Sequence, residues 1–366
     1  MNLDALAPPP RLVDWGILLA VVLAGASGAV GLVTGTTDGA WIFVVHGLAG
    51  VALVPLLGWK FARVFRRLTG RWNGRIAVSA LLATLAIATI ATGIYWVHAG
   101  LVEILGGFWT LMNVHIGLGI LTTVVLVWHL RHRFRIPTRG DVTDRRAAMQ
   151  FGGTLVAGAL LWRLQGVANA TLDLAGANRR FTGSKEDGTD AGNAFPVTSW
   201  VADDPDPVDP DEWTLRVRGR VERDLAFGVS DLPGNGDGGD ATDSAVPLAE
   251  RRALLDCTSG WYSVHDWQGI RVGDLLASAG PADGAAYVRF LSVTGYRWTL
   301  PIEEARDAVL ATHVDGKRLS HGHGYPVRLV APGRRGFQWV KWVTAVEVRR
   351  RDDPGQWIAT LISGFD

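Results

Sequence analysis

The sequence predicts an N-terminal all-α transmembrane helix bundle followed by a C-terminal α+β, strand-rich domain. Two observations predict this multidomain fold. Long apolar stretches fill the first part of the 366-residue chain, and each is near the roughly 20 residues that a helix needs to cross a bilayer. The remainder is more polar, and its apolar residues alternate in short runs that are typical of strands. We expect the bundle in residues 1–140, an anchor and linker in 141–178, and the strand-rich domain in 179–366.

Four stretches are apolar along nearly their whole length, at residues 12–33, 41–59, 76–97 and 111–130. A fifth stretch, 147–162, is shorter. A segment of this length either spans the bilayer or lies in its surface, and the sequence leaves both open. In both cases the lipid bilayer is a partner of the chain. The small net charge of +1 argues against a nucleic-acid partner.

Lysine and arginine are concentrated in two connecting loops, at residues 60–75 and 131–146. Positive residues accumulate on the cytoplasmic side of a membrane. We therefore expect a multi-pass protein of the cell membrane with a cytoplasmic N-terminus. A fifth crossing would carry the C-terminal domain to the outer face, as we expect, whereas a surface-lying fifth segment would leave it cytoplasmic. The Arg145-Arg146 pair before this segment also resembles a twin-arginine export signal, or it adds two positive-inside charges.

Alternation of apolar and polar residues predicts strands in the C-terminal domain, at residues 213–221, 287–293, 326–331 and 343–349. The pattern at 272–279 is helical. The run 203–212 is acidic and rich in proline, which predicts a solvated loop. Residues 233–243 form an insertion rich in glycine and aspartate, which indicates a surface loop or disorder.

Histidines occur inside two of the apolar segments. His46 and His115 lie at similar depth near the outer end of the second and fourth segments. Because an imidazole in hydrocarbon is costly and usually functional, two at one depth are candidate axial ligands of a b-type haem. His98, at the end of the third segment, could replace either ligand.

A second haem is less expected than the first. His129 lies fourteen residues after His115, about 21 Å along a helix. This spacing resembles the ligand pairs of two-haem cytochrome b helices. The matching position on the other helix is Lys60, so we expect one haem, although His129 stays a candidate ligand.

Cys257 is the only cysteine in the chain. A single cysteine excludes an internal disulfide, a CxxC redox pair, a tetrathiolate zinc site and an iron–sulfur cluster. Two interpretations remain: a small buried apolar residue, or a thiolate used for metal binding or chemistry.

The sequence around Cys257 supports the second interpretation. Cys257-Thr-Ser-Gly-Trp261 is followed by Trp267-Gln-Gly269 and Gly273-Asp-Leu-Leu276, and later by His323-Gly-Tyr-Pro326-Val-Arg328 and Gly336-Phe-Gln-Trp-Val-Lys341. These blocks, with an arginine five residues after the histidine and a lysine thirteen after the arginine, resemble the sulfite oxidase-like molybdopterin oxidoreductases. The resemblance covers residues 179–366 and implies a sulfite oxidase-type molybdopterin-binding fold.

The resemblance implies a Mo-molybdopterin cofactor whose molybdenum is bound by Cys257. A soft thiolate suits a thiophilic metal, and basic residues on glycine-rich turns suit a phosphate. The alternatives are solvated basic side chains, a structural histidine at 323 and a turn asparagine at 193. The candidate cofactor-binding residues are Asn193, Thr258, Ser259, His323, Arg328, Arg334 and Lys341.

The residues after Cys257 bear on the substrate. Sulfite-oxidising relatives carry arginines directly after the metal-bound cysteine, whereas residues 258–262 here carry no charge. This difference favours a neutral substrate beside the candidate catalytic residues Trp261 and Tyr262. The alternative for Trp261 is a core residue beside the metal loop. In this respect the domain resembles the periplasmic methionine sulfoxide reductase catalytic subunit more than sulfite oxidase. The partner of that subunit is a membrane haem protein.

Together these features predict a membrane-bound oxidoreductase. We expect electrons to pass between the quinone pool, a b-type haem and an external molybdenum centre that reduces an S-oxide or N-oxide, including protein-bound methionine sulfoxide. One alternative is a sulfite dehydrogenase running in the oxidising direction. Another is a membrane cytochrome with a cofactor-free docking domain. Whether His265 and Asp266 shuttle protons or cap a turn stays open.

Overall fold

A computed structural model describes residues 8–68, 74–104, 109–131, 145–199, 203–234 and 247–364. The chain forms two compact units, Met1–Lys185 and Glu186–Asp366. Residues 69–73 and 132–144 of the two arginine-rich loops, and residues 235–243 of the insertion, lie outside the described residues. The first loop is shorter than expected, because residues 60–68 continue a helix.

The first unit is helical. All five apolar stretches form helices, which are α1 (Pro10–Val33), α2 (Ala40–Leu68), α3 (Gly74–His98), α4 (Leu111–Leu130) and α5 (Arg145–Thr171). A short hairpin, β1 (Glu103–Ile104) and β2 (Trp109–Thr110), precedes α4. Among the described residues, four helices are long and apolar enough to cross a membrane, at Pro10–Val33, Thr37–Val64, Ile76–His98 and Leu111–Leu130.

Helix α5 is not among those four but packs along α2. Phe151, near its start, joins a cluster with Val13 and Leu56. Further along, a Cβ atom on Gly158 would lie 2.9 Å from the Ala52 Cα, so the two backbones are in direct contact. Residue numbers rise along α5 as they fall along α2, so the two helices are antiparallel. Close backbone approach at small residues is typical of helices packed in a membrane.

The helical unit extends to Lys185, beyond the boundary at residue 179 that the sequence suggested. Three hydrogen bonds join residues 183–185 to the end of helix α3. The Trp96 indole N–H donates to the Gly183 carbonyl (2.9 Å), and Lys185 Nζ donates to the carbonyls of Trp96 (2.9 Å) and Gly100 (2.8 Å). The lysine therefore satisfies carbonyls at the C-terminal end of α3, where a helix leaves them without partners.

The second unit is α+β and rich in strands. One sheet has the order β11-β10-β7-β3, with β12 paired to β10 and β6 paired to β7; the other has the order β5-β4-β13-β8-β9. The pairing of β13 with β4 is parallel. The strands are β3 (Lys185–Glu186), β4 (Leu215–Gly219), β5 (Leu225–Phe227), β6 (Leu248–Asp256), β7 (Trp261–Arg271), β8 (Tyr287–Ser292), β9 (Arg297–Pro301), β10 (Val309–Val314), β11 (Lys317–Arg318), β12 (Arg328–Val330) and β13 (Val343–Arg349).

Three helices accompany these sheets, α6 (Val272–Ala279), α7 (Ile302–Arg306) and α8 (Gln356–Ile362). The predicted strands at 213–221, 287–293, 326–331 and 343–349 correspond to β4, β8, β12 and β13, and the predicted helix is α6. The acidic run 203–212 contains neither helix nor strand. Large side chains fill the core, among them Trp267, Phe290, Leu310 and Trp342.

The hairpin of β6 and β7 was not predicted, although these strands are the longest described. They pair antiparallel from Leu248 opposite Ile270 to Asp256 opposite Tyr262. Side chains of a strand alternate between the two faces of a sheet. Along β7 the buried face carries Trp261, Ser263, His265 and Trp267. This hairpin positions the site, because Cys257 lies in its turn.

Candidate functional site

Cys257 lies in the tight turn between β6 and β7. Its N–H donates to the Trp261 carbonyl (2.9 Å), and the Gly260 N–H donates to its carbonyl (3.0 Å). Gly260 has φ +92°, a conformation that only glycine adopts without strain. The turn buries the cysteine, which is 7% exposed.

Two polar groups contact the Cys257 sulfur. The backbone N–H of Ser259 donates to Sγ at 3.4 Å, and the Thr198 hydroxyl lies 3.3 Å from it. Ser259, a predicted cofactor-binding residue, thus contacts the sulfur through its backbone N–H. Thr258, another predicted cofactor-binding residue, lies in the same turn. Thr198 was not predicted; it comes from a segment 59 residues earlier, and the sequence carries no local signal for it.

Arg328 is the buried cation of the site. It is 2% exposed, and its guanidinium lies 5.1 Å from the centre of the Trp267 ring. Nη1 donates to the His323 carbonyl (3.1 Å), whereas Nε has no hydrogen-bond partner among the described residues. Burial lowers the pKa of Arg328 to about 10, against the effect of the nearby Cys257. Arg328 is therefore a cation at neutral pH.

Lys341 approaches the same region. Its Nζ donates to the carbonyls of Gly322 (2.7 Å) and Thr198 (2.9 Å) and to the Ser199 hydroxyl (3.0 Å). Burial, reinforced by the charge of Arg328, lowers the pKa of Lys341 to about 7. Lys341 can therefore bind an anion as an ammonium group at or below neutral pH, and a bound anion would hold the proton more firmly.

His323 is buried and has both ring nitrogens occupied. Nδ1 lies 2.7 Å from the Ser320 hydroxyl, and Nε2 lies 3.0 Å from the Phe195 carbonyl. Burial and the charge of Arg328 lower the pKa of His323 to about 4, so the ring is neutral. Asn193 acts nearby, where its side chain accepts from the Ser320 N–H (2.9 Å) and donates to the Arg318 carbonyl (2.8 Å). Asn193 thus fixes the loop that carries His323.

Of the two adjacent arginines, Arg335 rather than Arg334 reaches the cysteine turn. Arg334 donates to both carboxylate oxygens of Glu304 at 2.5 Å. Arg335 donates to the Cys257 carbonyl (3.1 Å) and forms a buried ion pair with Asp256 (3.1 Å). A cofactor contact by Arg334 stays a prediction, and we assign the place beside Cys257 to Arg335.

Trp261 and Tyr262 lie on opposite faces of the sheet. Neighbouring residues of a strand point to opposite sides, and burial follows this pattern, since Trp261 is 2% exposed and Tyr262 is half-buried. Trp261 packs with Phe195 on the buried face (ring centres 6.0 Å apart). The expectation that both side chains flank one substrate therefore needs correction: one face of β7 presents Trp261 and the other presents Tyr262.

His265 is paired with a residue that the sequence did not indicate. Its Nδ1 lies 2.7 Å from Asp315 Oδ2, and the same carboxylate accepts the N–H groups of Asp266 and Gly192, each at 2.9 Å. These hydrogen bonds outweigh burial and lower the pKa of Asp315. Asp266 instead points to solvent and lies 3.3 Å from Arg252. His265 and Asp266 therefore do not act as a pair.

The chemistry of the site fits an anionic, metal-containing cofactor. A buried thiol with hydrogen-bond donors would bind a thiophilic metal. Arg328 is a buried cation with no carboxylate partner within the described ranges. Such an arrangement is costly unless a negative group joins it. Arg328 and Lys341 would hold a phosphate, and Cys257 would hold the metal.

The helical unit contains a second candidate site. The rings of His46 and His115 are 6.0 Å apart between centres. His46 Nδ1 lies 2.9 Å from the Ala24 carbonyl, and His115 Nδ1 lies 3.0 Å from the Thr89 carbonyl. A carbonyl that accepts from Nδ1 leaves Nε2 as the metal-binding nitrogen. A metal ion bound between the two rings would separate their centres by two metal–nitrogen bonds of about 2 Å each plus two imidazole radii. The separation between the ring centres of His46 and His115 agrees with this sum.

Small residues flank both imidazoles. A Cβ atom on Gly28 would lie 3.2 Å from His46 Cε1, and one on Gly93 would lie 2.8 Å from His115 Cε1. Glycine at both positions therefore lets each imidazole pack directly against a neighbouring helix, where a larger residue would collide with the ring. The other two candidate haem ligands, His98 and His129, have different surroundings. His98 Nδ1 is 2.5 Å from the Asn169 side-chain oxygen, and His129 lies in the last turn of α4.

Comparisons with known proteins identify the second unit. Residues 202–357 match the family model of the oxidoreductase molybdopterin binding domain. This range contains Cys257, His323, Arg328 and Lys341. The chain is 28% identical over 167 residues to the uncharacterized oxidoreductase YuiH of Bacillus subtilis (strain 168), covering 45% of this chain and 78% of that protein.

Among solved structures, the chain is similar to the sulfane dehydrogenase SoxCD from Paracoccus pantotrophus. The two share 25% sequence identity at a TM-score of 0.35, and the similarity covers 40% of each chain. The chain thus spans less than half the length of that protein. The family match and the oxidoreductase relative together support a molybdopterin-binding oxidoreductase domain in this chain, which is therefore an oxidoreductase.

Proposed function

We propose that this molybdopterin-dependent oxidoreductase is bound to the cell membrane and passes electrons between the quinone pool, a b-type haem and its molybdenum centre. We propose further that it reduces an S-oxide or N-oxide, with protein-bound methionine sulfoxide as one candidate. The observation that carries this proposal is that one chain joins the buried Cys257 site to the His46–His115 pair on apolar helices.

When bound, the molybdenum cofactor supplies two-electron oxygen-atom transfer and the haem supplies one-electron transfer. Cys257 would hold the metal, and Arg328 and Lys341 would hold the phosphate. In the proposed direction the S=O or N–O bond breaks and the sulfur or nitrogen gains the two electrons that a quinol loses. The oxygen leaves as water with two protons.

The charges around Cys257 favour a neutral substrate. Residues 258–262, which follow the cysteine, carry no charge. Arg335 reaches the same turn, but its charge is balanced by the buried Asp256 carboxylate at 3.1 Å. The turn that holds Cys257 therefore adds no unbalanced positive charge for a dianion such as sulfite, which favours a neutral substrate such as a sulfoxide.

One observation favours a second function, sulfite dehydrogenation. Arg328 and Lys341 both lie near enough to Cys257 to feel its charge, and their positive field suits an anionic substrate. In that reaction sulfite gains an oxygen atom from water, releases two protons and becomes sulfate. The two electrons then pass inward to the haem and the quinone.

For the haem, we propose His46 and His115 as the axial ligands. The spacing of their rings and the carbonyls that accept from both Nδ1 atoms support this choice. A single haem is favoured because Lys60, at the position where a second ligand would lie, forms an ion pair with Asp14 (2.7 Å). His98 and His129 are less suitable, since His98 already contacts Asn169.

We also propose that α5 crosses the membrane and carries the second unit to the outer face. Its 27 residues give a length of about 40 Å, enough for a bilayer. Phe151 near its start packs with residues of α1 and α2, and Asn169 near its end contacts His98 at the C-terminal end of α3. A helix that lay on the membrane surface would not follow the spans along their length.

The direct experiment follows the haem in detergent-purified protein under anaerobic conditions. A quinol analogue should reduce the b-type haem band, and methionine sulfoxide should then reoxidise it. Sulfite should leave the oxidised haem unchanged. If sulfite reduces the haem and the sulfoxide has no effect, the chain is a sulfite dehydrogenase. If neither substrate changes the haem, the proposed relay is wrong.

Two variants separate the two centres. Cys257→Ser should abolish sulfoxide turnover and leave the quinol-reducible haem band unchanged, because the haem ligands are on other helices. His115→Ala should remove the haem band but keep turnover with an artificial electron donor. The matched control is His98→Ala, which should keep the band because His98 contacts Asn169.

A further inference from the structure

Thr198 places a side-chain hydroxyl next to the sulfur of Cys257. Its Oγ1 lies 3.3 Å from Sγ, and the backbone N–H of Ser259 lies 3.4 Å from the same sulfur. The contact of Ser259 is made by the backbone of the turn, so a substitution at residue 259 does not remove it. The contact of Thr198 depends on the residue type. Thr198 is therefore the position at which the surroundings of the sulfur can be changed one group at a time.

The direction of the hydrogen bond between Thr198 and Cys257 depends on the state of the sulfur. A hydroxyl and a thiol can each donate or accept. A cysteine that binds a metal does so as a thiolate, which has lost its proton and can only accept. When Cys257 holds the metal, the Thr198 hydroxyl is therefore the donor, and the sulfur accepts from this hydroxyl and from the Ser259 N–H.

Lys341 holds the backbone of Thr198 in place. Its Nζ donates to the Thr198 carbonyl (2.9 Å), to the Ser199 hydroxyl (3.0 Å) and to the Gly322 carbonyl (2.7 Å). These hydrogen bonds tie the segment of Thr198, which belongs to neither a helix nor a strand, to the turn that contains Gly322. Val197 packs against the same turn, since a Cβ atom on Gly322 would lie 3.0 Å from Val197 Cγ1. The segment that presents the hydroxyl to the sulfur is therefore fixed on both sides of the Thr198 side chain.

A hydrogen bond to a metal-bound thiolate changes the reduction potential of the metal. The donor withdraws electron density from the sulfur, so the sulfur gives less of it to the metal. The reduced form of the metal is then stabilised relative to the oxidised form. Hydrogen bonds to ligand sulfur are one of the means by which proteins set the potentials of their metal centres. Removing one such donor should therefore lower the potential.

We propose that Thr198 is a positioning residue that acts through Cys257: its hydroxyl donates to the metal-bound sulfur and raises the reduction potential of the molybdenum. This inference rests on the molybdenum centre of the proposed function. In the proposed direction the centre receives the two electrons of a quinol, and a higher potential favours that transfer. The same change lowers the driving force for reduction of the substrate. The hydroxyl of Thr198 therefore sets the balance between the two halves of the reaction.

The test is a redox titration of the purified full-length protein, followed by the electron paramagnetic resonance signal of molybdenum. Thr198→Val replaces the hydroxyl by a methyl group of nearly the same size, and Thr198→Ala removes the hydroxyl without replacing it. Thr198→Ser keeps the hydroxyl and removes only the methyl group. The control Ser199→Ala removes the neighbouring hydroxyl, which accepts from Lys341 Nζ. The molybdenum content of each protein is measured in parallel.

We expect Thr198→Val and Thr198→Ala to shift the midpoint potential of molybdenum to lower values while they keep the molybdenum content of wild type. Thr198→Ser and Ser199→Ala should titrate close to wild type, because both keep a hydroxyl at residue 198. A residue that only supported the fold would change the stability or the metal content of the protein without this pattern of potentials.

A Thr198→Val protein that titrates like wild type would overturn the proposal. A Thr198→Ser protein that shifts as far as Thr198→Val would also overturn it, because the methyl group and not the hydroxyl would then be responsible. Loss of molybdenum from both Thr198→Val and Thr198→Ala would overturn it as well, since the hydroxyl would then serve the assembly of the site. Wild-type protein without molybdenum would refute the cofactor itself, which is a distinguishable failure.

Discussion

Replacing Asp256 by asparagine should destabilise the strand-rich unit much more than replacing Asp190, although each aspartate forms an ion pair with an arginine and each pair has one partner on strand β6. Asp256 lies 3.1 Å from Arg335, and the two side chains are only 2% and 5% exposed. Asp190 lies 2.8 Å from Arg252, and those side chains are 55% and 50% exposed. The two pairs have the same chemistry and differ in burial, and Arg252 also keeps a second carboxylate, Asp266, at 3.3 Å. Asp190→Asn is therefore the mild control for Asp256→Asn.

The magnitude follows from what the substitution leaves behind. Asp256→Asn leaves the Arg335 guanidinium buried without a counter-ion, and breaking a buried pair in this way costs about 3–5 kcal/mol. Because almost no solvent reaches either side chain, solvent screening does not reduce this cost. For a unit of this size the loss lowers the melting temperature by about 10 °C. An exposed pair contributes little, so Asp190→Asn should melt close to wild type.

The single cysteine provides a local assay. Cys257 is 7% exposed and belongs to the strand-rich unit. A thiol-reactive fluorescent dye added to cofactor-free protein therefore reports the unfolding of that unit and not of the helical one. The midpoint is read on heating for wild type, Asp256→Asn and Asp190→Asn under the same conditions.

A double variant completes the test. Asp256→Asn with Arg335→Met removes both charges, and it should recover much of the lost stability because an apolar replacement of a buried pair is often neutral. Equal midpoints for Asp256→Asn and Asp190→Asn would refute the assignment of a buried ion pair behind Cys257. A double variant as unstable as Asp256→Asn would show that packing, and not charge, is responsible.

Three further predictions concern the haem, the phosphate contact and the topology. Gly93→Val should lower the haem content measured as a pyridine haemochrome, because its Cβ would lie 2.8 Å from His115 Cε1, whereas Gly117→Val, with open space beside it, should not. Burial and the charge of Arg328 lower the pKa of Lys341 to about 7, so its ammonium is present below that pH and lost above it. Pyrophosphate binding to cofactor-free protein, measured by calorimetry, should therefore weaken as the pH rises through about 7, and Lys341→Gln should remove this dependence; a pH-independent wild type contradicts the assignment. Alkaline phosphatase fused to the C-terminus should be active and a green fluorescent protein fusion dark, and the reverse pattern would place the second unit in the cytoplasm.

The helices and several strands could be predicted because local pattern decides them. Apolar runs of about 20 residues leave few alternatives to a long helix, and β13 and α6 were predicted with the bounds that the structure has. The resemblance to the molybdopterin oxidoreductases implied that Cys257, Arg328 and Lys341 lie together, although these residues come from three different parts of the fold.

The sequence did not predict the hairpin of β6 and β7, because β7 carries polar residues on its buried face. Ser263 and His265 occupy inward positions of β7, and a polar residue at an inward position breaks the alternation by which a strand is found. A strand with polar residues on its buried face therefore resembles a loop in the sequence. Local consistency is most often lost at functional positions.

Side-chain contacts between residues far apart in the chain could likewise not be predicted from the sequence. Asp315 has φ +49° and meets His265 across fifty residues of chain. Neither the turn conformation nor the partner can be read from the residue types. The choice between Arg334 and Arg335 also depends on the direction of each side chain, which sends one to Glu304 and the other to Cys257.

The most direct test of the central claim is the content of molybdenum and b-type haem in purified wild-type and Cys257→Ser protein. Molybdenum is measured by mass spectrometry and haem as its pyridine haemochrome. We predict comparable amounts of both in wild type, and haem without molybdenum in Cys257→Ser. Molybdenum retained by Cys257→Ser, or a wild-type chain that lacks either metal, would contradict the account.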